Sequence, residues 1–376
     1  MKLAQVRRKL ERVDRAVEKA IAKGELPGVV LRAEHGEALQ FERAYGAAVL
    51  SPERHDARLD TLYDLASLTQ VIATTSSVLL LVSDGKLHLD RPVAEFLPAF
   101  AERDKSEITV RHLLTHSSGL RPWRAYYMDL REREIRRGET LLGTEEARES
   151  IVQRILRSAA VHDPGEAAVY GDLGFIVLGE LVEQVGGERL DAFCQRRIFE
   201  PLGMRDTHFN PVPFEGARGR YAATEQCEWR DKVVWGEVHD PNAWAMGGVA
   251  GHAGLFGSAH DVFRFGQEML AAFRGESAVF PQPLAQEFFR RQDLPSGSDW
   301  ALGWDTPTAG QSTSGRHFSE RSIGHTGFTG ASLWIDLERD AVFVMLANRV
   351  HLLAKKSGFA LRPLLHDMIW EAFLAA

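Results

Sequence analysis

DLASLTQVIATTSS, residues 64–77, decides how this chain is read. A short apolar segment runs into a helical pattern, and Ser67 stands at the junction. A serine at a helix start lies beside unsatisfied backbone N–H groups and the positive end of the helix dipole, which favours negative charge on an attacked carbonyl. A hydroxyl at neutral pH attacks only when something takes its proton. Position 70 shares that helix face, within side-chain reach. It holds Gln70, whose amide is not a base. Taken alone, Ser67 reads equally as a nucleophile or as a helix cap.

The rest of the chain supplies the context. Its 376 residues are 44% hydrophobic and 26% charged, with 45 basic against 52 acidic side chains, enough for a sizeable globular core. The net charge of −7 and the lack of a dense basic stripe argue against a nucleic-acid partner. Cys194 and Cys227 form no metal or redox spacing and read as buried thiols. Near the N-terminus, Leu3, Val6, Leu10, Val13, Val17 and Ile21 recur at helical spacing with charges in every turn. That predicts an amphipathic helix docked on the body of the protein, not a signal peptide. No run reaches the roughly 18 apolar residues of a membrane span, and a cytoplasmic location is the expectation.

Two β-like segments flank a turn at Gly36, and residues 71–82 read as a buried helix ended by Ser83–Lys86. Helical periodicity dominates to about residue 209, and residues 260–273 read as another helix. Two strands joined by a turn around Glu338–Asp340 follow late in the chain, with a last apolar helix within 357–374. This order predicts an α+β fold: an antiparallel sheet flanked by helices, built from both chain ends, with a mostly helical insertion. The expected division is a sheet subdomain of 1–66 and 210–376, a helical subdomain of 67–209, and a cleft between them.

Three motifs fall in order along this frame: Ser67 with Gln70, the YGD of Tyr170–Asp172, and the HTG of His325–Gly327. Together they resemble the S-x-x-K, Y-x-N and K-T-G signatures of the serine β-lactamase and penicillin-binding-protein superfamily. The likeness is nearest to its class C and esterase-like branch. It covers nearly the whole chain, including LLTHSSGL, DLGFIVLGELVE, IFEPLGMRDT and NAWAMGGVAGHAGLF. The resemblance implies a serine hydrolase with Ser67, Tyr170 and His325 as catalytic residues, and the lack of a convincing ligand spacing predicts that it needs no metal or other cofactor. It also implies that Gln70, Asp172, Gly327 and Phe328 meet the substrate, and that the N–H groups of Ser67 and Phe328 form an oxyanion hole.

The residues themselves leave alternatives open. Tyr170 works as a phenolate only beside a cation, which the lysine three after the serine supplies in that superfamily. Without it, Tyr170 reads also as a packed tyrosine at a helix entrance. Asp172 either binds a substrate amide or caps the helix after it. His325 is a proton relay or a substrate contact. Gln70 admits three accounts: an altered proton route through Tyr170 and His325, a crippled enzyme that binds without turnover, or a substituted lysine position. The expected substrate is a small ester, amide or peptide-like molecule. The literal S-x-x-K at Ser83–Lys86 falls in a turn and reads as a loop, and no G-x-S-x-G elbow occurs. His239, His252 and His260, with Asp240 and Asp261, lack the H-E-x-x-H pattern of a zinc site.

Overall fold

Strand β11, Ala341–Ala347, reads AVFVMLA without a polar residue, and every side chain in it is buried. A continuous apolar strand needs cover on both faces. Its side chains alternate between two cores. Val342, Val344 and Leu346 join the larger cluster, while Ala341, Phe343, Met345 and Ala347 join a second one. The computed structural model describes residues 2–36, 39–351 and 360–375, and the arrangement of these residues explains the cover.

The other strands are β1 Gly28–His35, β2 Leu39–Val49, β3 His55–Asp56, β4 Tyr63–Asp64, β5 His208–Phe209, β6 Ala223–Cys227, β7 Lys232–Trp235, β8 Leu255–Gly257, β9 Ser322–Thr326 and β10 Ser332–Asp336. Six form one sheet in the order β3-β2-β1-β11-β10-β9. All its neighbours are antiparallel. Val29 on β1 pairs with Ala347 on β11, so the two chain ends meet at the sheet centre, as expected. The late turn closes at Asp340, which takes a left-handed φ of 55°.

One face carries the helices Lys2–Ala22 and Leu361–Phe373. Val13 and Val17 of the first pack with Leu365, Ile369 and Trp370 of the second against Leu31, Trp334 and Phe343. This is the docking that the amphipathic N-terminal pattern predicts. The last helix begins at Leu361, and positions 357–359 of its expected span lie outside the described residues. On the opposite face the helix Ala259–Arg274 lies close: a β-carbon on Gly266 would sit 2.5 Å from Val342. Among the described residues no helix is long and apolar enough to cross a membrane.

The expected helix over 71–82 forms in two parts. Gln70–Thr75 is a widened π turn, and Ser76–Ser83 is regular α-helix. At the junction the Ser76 hydroxyl donates to the Val71 carbonyl five residues back, at 2.9 Å. Such widened turns concentrate at functional sites. Further helices, including Tyr126–Arg137, Glu145–Leu156 and Leu173–Gly186, follow before β5. Segment 210–321 is more varied than the sequence suggests. It holds the hairpin β6–β7 and strand β8, the centre of a small β4-β8-β5 sheet. The larger core runs unbroken from Val30 and Val344 in the main sheet to Leu80 and Phe175 in the helical part.

One contact ties the helix Leu173–Gly186 to the Gly-rich loop. A β-carbon on Gly251 would lie 2.0 Å from the Phe175 carbonyl oxygen and 2.9 Å from the Gly179 α-carbon. Both obstacles are backbone and cannot yield by a rotamer change. Gly251→Ala is therefore expected to lower stability by about 1–3 kcal/mol, read as a drop in the urea midpoint. An unchanged midpoint would show that the loop and helix are not in the contact described.

Candidate active site

Strand β4 delivers the chain to Ser67 through a tight turn. The Asp64 carboxylate is buried and accepts the N–H of Ala66 at 2.8 Å and of His239 at 2.6 Å. Burial pushes this carboxyl up, and the two N–H bonds pull it back. Ala66 is held at φ 47°, a left-handed conformation that costs an alanine roughly 1–2 kcal/mol. The turn places Ser67 just before the helical run that begins at Leu68. The end of β9 is fastened to the same turn. Thr329 Oγ1 donates to the Asp64 carbonyl at 2.8 Å, and a β-carbon on Gly327 would lie 2.6 Å from the Leu65 oxygen. Among the described residues, neither the Ser67 nor the Phe328 N–H donates to a protein acceptor.

The Tyr170 hydroxyl sits against Ser67 and accepts a hydrogen bond from Gln70 Nε2 at 2.9 Å. Although 41% of Tyr170 is open to the cleft, its hydroxyl is enclosed by these two side chains. Burial pushes the phenol above its ordinary range, and the charge of Asp172 pushes the same way. Bonds from Ser67 and Gln70 pull weakly against both. Gln70 is fully buried, and its Oε1 has no partner. It lies behind Tyr170 and outside the cleft lining, so it touches the phenol where the resemblance implies a substrate contact.

Two imidazoles flank the phenol. The His325 ring lies 5.8 Å from that of Tyr170, and its Nδ1 meets the Thr326 carbonyl at 3.1 Å. A proton on Nδ1 leaves Nε2 as the acceptor, and that atom is buried without a partner. His116, absent from the sequence-level candidates, lies 4.8 Å from Tyr170 and 4.4 Å from Trp300. Burial drives His325 down to about 4 and His116 to about 3, so both are neutral at pH 7. Nothing in this group supplies the positive charge that would draw Tyr170 toward phenolate.

Asp172 precedes the helix Leu173–Gly186, and its side chain makes no cap bond to it. Its side chain lines the cleft instead. It gathers with Asp240 and His252, their nearest ligating atoms all within 4.8 Å of one another. His252 meets Asp240 at 2.9 Å, while Asp240 also caps the helix Pro241–Ala245 through the Ala243 N–H at 2.7 Å. Burial pulls His252 down, but Asp240 outweighs it and raises the imidazole. Burial pushes Asp172 up to about 6. Three such groups could hold a cation. However, His252 Nδ1 is buried without a partner, where a metal-bound histidine ordinarily donates its second N–H to an outer acceptor. Of the other histidines weighed for zinc, His239 also lines the cleft but faces Glu225, and His260 faces Arg32. Asp261 accepts from Thr207.

The site borders a cavity of about 770 Å³, within the range of small-molecule sites. Ser67, Tyr170, Asp172, His325, Gly327 and Phe328 line it, so the three motifs meet at one cleft. The sequence missed Trp123, Trp300, Asp305, Arg349 and Arg362, which line it too, and it offered Asp240 and His252 only as candidate zinc ligands. Segments LLTHSSGL and GGVAGHAGLF held a signal for His116 and His252, but nothing in either shows which residue each histidine meets.

Residues 13–362 match the family described as Beta-lactamase. The chain is 32% identical over 378 residues to a protein of Escherichia coli (strain K12) provisionally named a D-alanyl-D-alanine carboxypeptidase, covering 91% of this chain and 83% of that one. It is 31% identical over 374 residues to a Bacillus subtilis (strain 168) protein named N-acetylmuramyl-L-alanine amidase, covering 92% and 82%. Among solved structures it is similar to EstCE1, a hydrolase with promiscuous acyltransferase activity, with a TM-score of 0.74, 21% identity and 97% and 99% of the two chains covered. It is also similar to a class C β-lactamase from Rhodobacter sphaeroides, with a TM-score of 0.70, 21% identity and 96% and 99% covered. Those two likenesses concern the fold. The match over residues 13–362, joined to a cleft where Ser67, Tyr170 and His325 converge, places this chain in the β-lactamase family of serine hydrolases.

Proposed function

We propose that Ser67 attacks the carbonyl of a peptide-like amide or ester and carries the acyl group until water removes it. The observation that carries this reading is the Ser67 turn itself. A left-handed Ala66 presents a hydroxyl beside two uncommitted N–H groups, those of Ser67 and Phe328. An oxyanion placed between those donors gains around 3 kcal/mol from one of them by the usual measure. The Asp172–Asp240–His252 group on one side of the cleft, with Arg349 and Arg362 also in its lining, suits a substrate bearing both amide and carboxylate groups. The carboxypeptidase and amidase names of the two relatives agree with that class.

The proton is the difficulty. As the C–O bond to Ser67 forms, the serine proton must leave, and no group beside it is a ready base at pH 7. A neutral Tyr170 accepts that proton only as it passes its own to the departing oxygen or nitrogen. Such a relay is balanced but lacks the driving force of a true general base. Gln70 orients the phenol and contributes no charge. Its Oε1 is left without a donor, so the amide fills the position with an unsatisfied acceptor and supplies no base. This observation favours a second reading, in which ligands are held at Ser67 with little turnover.

Intact-mass measurement after a fluorophosphonate probe separates the two. One adduct lost in Ser67→Ala is expected, and no adduct would leave a binding protein. Gln70→Lys should raise the pre-steady-state acylation rate with a p-nitrophenyl ester more than tenfold, since general-base assistance contributes on the order of 10²- to 10⁴-fold. The new cation should also lower the Tyr170 pKa and move the rate profile toward neutral pH. An adapted route through His325 predicts the opposite: lysine leaves or lowers the rate, and His325→Ala abolishes it.

The cleft should also change its preference with pH. Burial raises Asp172 to about 6 and Asp305 to about 7, so both are neutral at pH 5 and ionised at pH 8. Across that window the cleft becomes more negative. A carboxylate-bearing ligand should lose affinity relative to its neutral amide, by roughly fivefold to tenfold per charge at short range. Asp305→Asn should remove the step near pH 7. Calorimetric titration of the acid and amide pair at pH 5 and 8 checks this, and a constant affinity ratio would refute it.

A further inference from the structure

A second cavity, of about 450 Å³, shares a wall with the active cleft, and its lining is of a different kind. Arg103, Arg121, Arg124, Arg154 and Arg157 are five of its eleven lining residues, and none of the eleven carries a carboxylate. In a chain of net charge −7 this is a local reversal of sign. Tyr126 lies among the guanidinium groups, with those of Arg154 and Arg124 at 5.0 and 5.3 Å from its ring centre. Behind the wall the fully buried Lys105 donates to the Ser158 and Glu102 carbonyls at 2.6 and 2.8 Å, adding a sixth cation.

The nearby acids offset only part of this charge. Asp129 pairs with Arg124 and Arg154, and Glu102 lies 3.6 Å from Arg157. Among the described residues, Arg103 and Arg121 make no ion pair. Arg103 is held at φ 57° with Asp104 next to it at 62°, a turn that non-glycine residues adopt only when their surroundings impose it.

We propose that this cavity binds the phosphate group of a small phosphorylated molecule. Several planar guanidinium forks around one space suit a dianion with three acceptor oxygens better than a single carboxylate. The volume exceeds that of inorganic phosphate and leaves room for the group that bears it. The site acts separately from the reacting bond, because none of its lining residues lines the active cleft. It is nevertheless joined to the cleft. Arg121 and Arg124 line the cavity, while Trp123 between them lines the cleft. The Pro122 carbonyl accepts the Asp172 N–H at 2.7 Å, and the Arg124 carbonyl accepts Asn242 Nδ2 at 2.8 Å. An occupant that draws the two arginines inward bears on the loop that braces Asp172.

Isothermal titration of the full chain with inorganic phosphate, glucose 6-phosphate and ADP, with glucose and sodium chloride as controls, tests the site. At least one phosphate-bearing probe should bind, and the tightest of them identifies whether free phosphate, a sugar phosphate or a nucleotide is preferred. Arg103→Ala/Arg121→Ala should weaken that binding about tenfold or more, since a charge-assisted hydrogen bond contributes about 1.5–3 kcal/mol. Neither arginine has an ion pair to lose, so the variant should keep the parent melting temperature. Arg103→Lys/Arg121→Lys, which keeps the charge but not the fork, should fall between the two. Ser67→Ala should bind like the parent, which separates this site from the proposed acyl-enzyme. Absence of binding by all three probes at 10 mM, equal binding by the double alanine variant, or the same heat from sodium chloride at matched ionic strength would overturn the proposal.

Discussion

The geometry of the cleft depends on one buried carboxylate. Asp64 accepts two backbone N–H groups from opposite sides, one from Ala66 and one from His239. The first bond holds the left-handed turn that aims Ser67, and the second ties that turn to the loop leading to Asp240. A buried carboxylate is costly unless its lone pairs are satisfied. The two N–H bonds answer that cost, and the turn cannot relax without stranding Asp64. Thr329 and Gly327 add the third side by pressing the end of β9 against the same backbone. Ser67, the Asp172–Asp240–His252 group and the HTG segment are therefore positioned together.

Against this rigid frame, the chemistry at position 70 stands out. The histidines beside Tyr170 are neutral at pH 7, and the carboxylates nearby raise its phenol further. Of the arginines in the cleft lining, Arg362 is dragged down to about 9 by burial. In the proposed reaction, position 70 is therefore the side chain that decides whether Ser67 has a base. The fold tolerates glutamine there because its amide reaches the phenol at normal hydrogen-bond distance, leaving only Oε1 unpaired.

The sheet explains why such a site can be stable at all. Pairing β1 with β11 joins residues from opposite ends of the chain, and the loop closure is offset by burying both faces of the central strands. The helices that cover those faces come from the termini on one side and from Ala259–Arg274 on the other. The helical segment then grows from the same core rather than from a separate one.

Much of this was legible in residue order. Unbroken apolar runs such as AVFVMLA announce strands covered on both faces, and the spacing of Val13 and Val17 announces a docked helix. The three motifs picked out Ser67, Tyr170 and His325, which line one cleft, and the chemistry of Gln70 shows that position 70 offers no base. The widened turn at Gln70–Thr75 was not legible, because an α pattern and a π turn share the same apolar run. Nor was the β6–β7 hairpin, whose short strands carry charged residues. The sequence also could not join Asp172 to Asp240 and His252, or gather Arg103 and Arg121 with Arg154 and Arg157. Those groupings, and the shifts in proton affinity within them, arise from burial and from contacts between distant segments. Local residue types set what each side chain can do. Only the packed chain sets which charges it faces, how much water reaches it, and therefore which proton it holds.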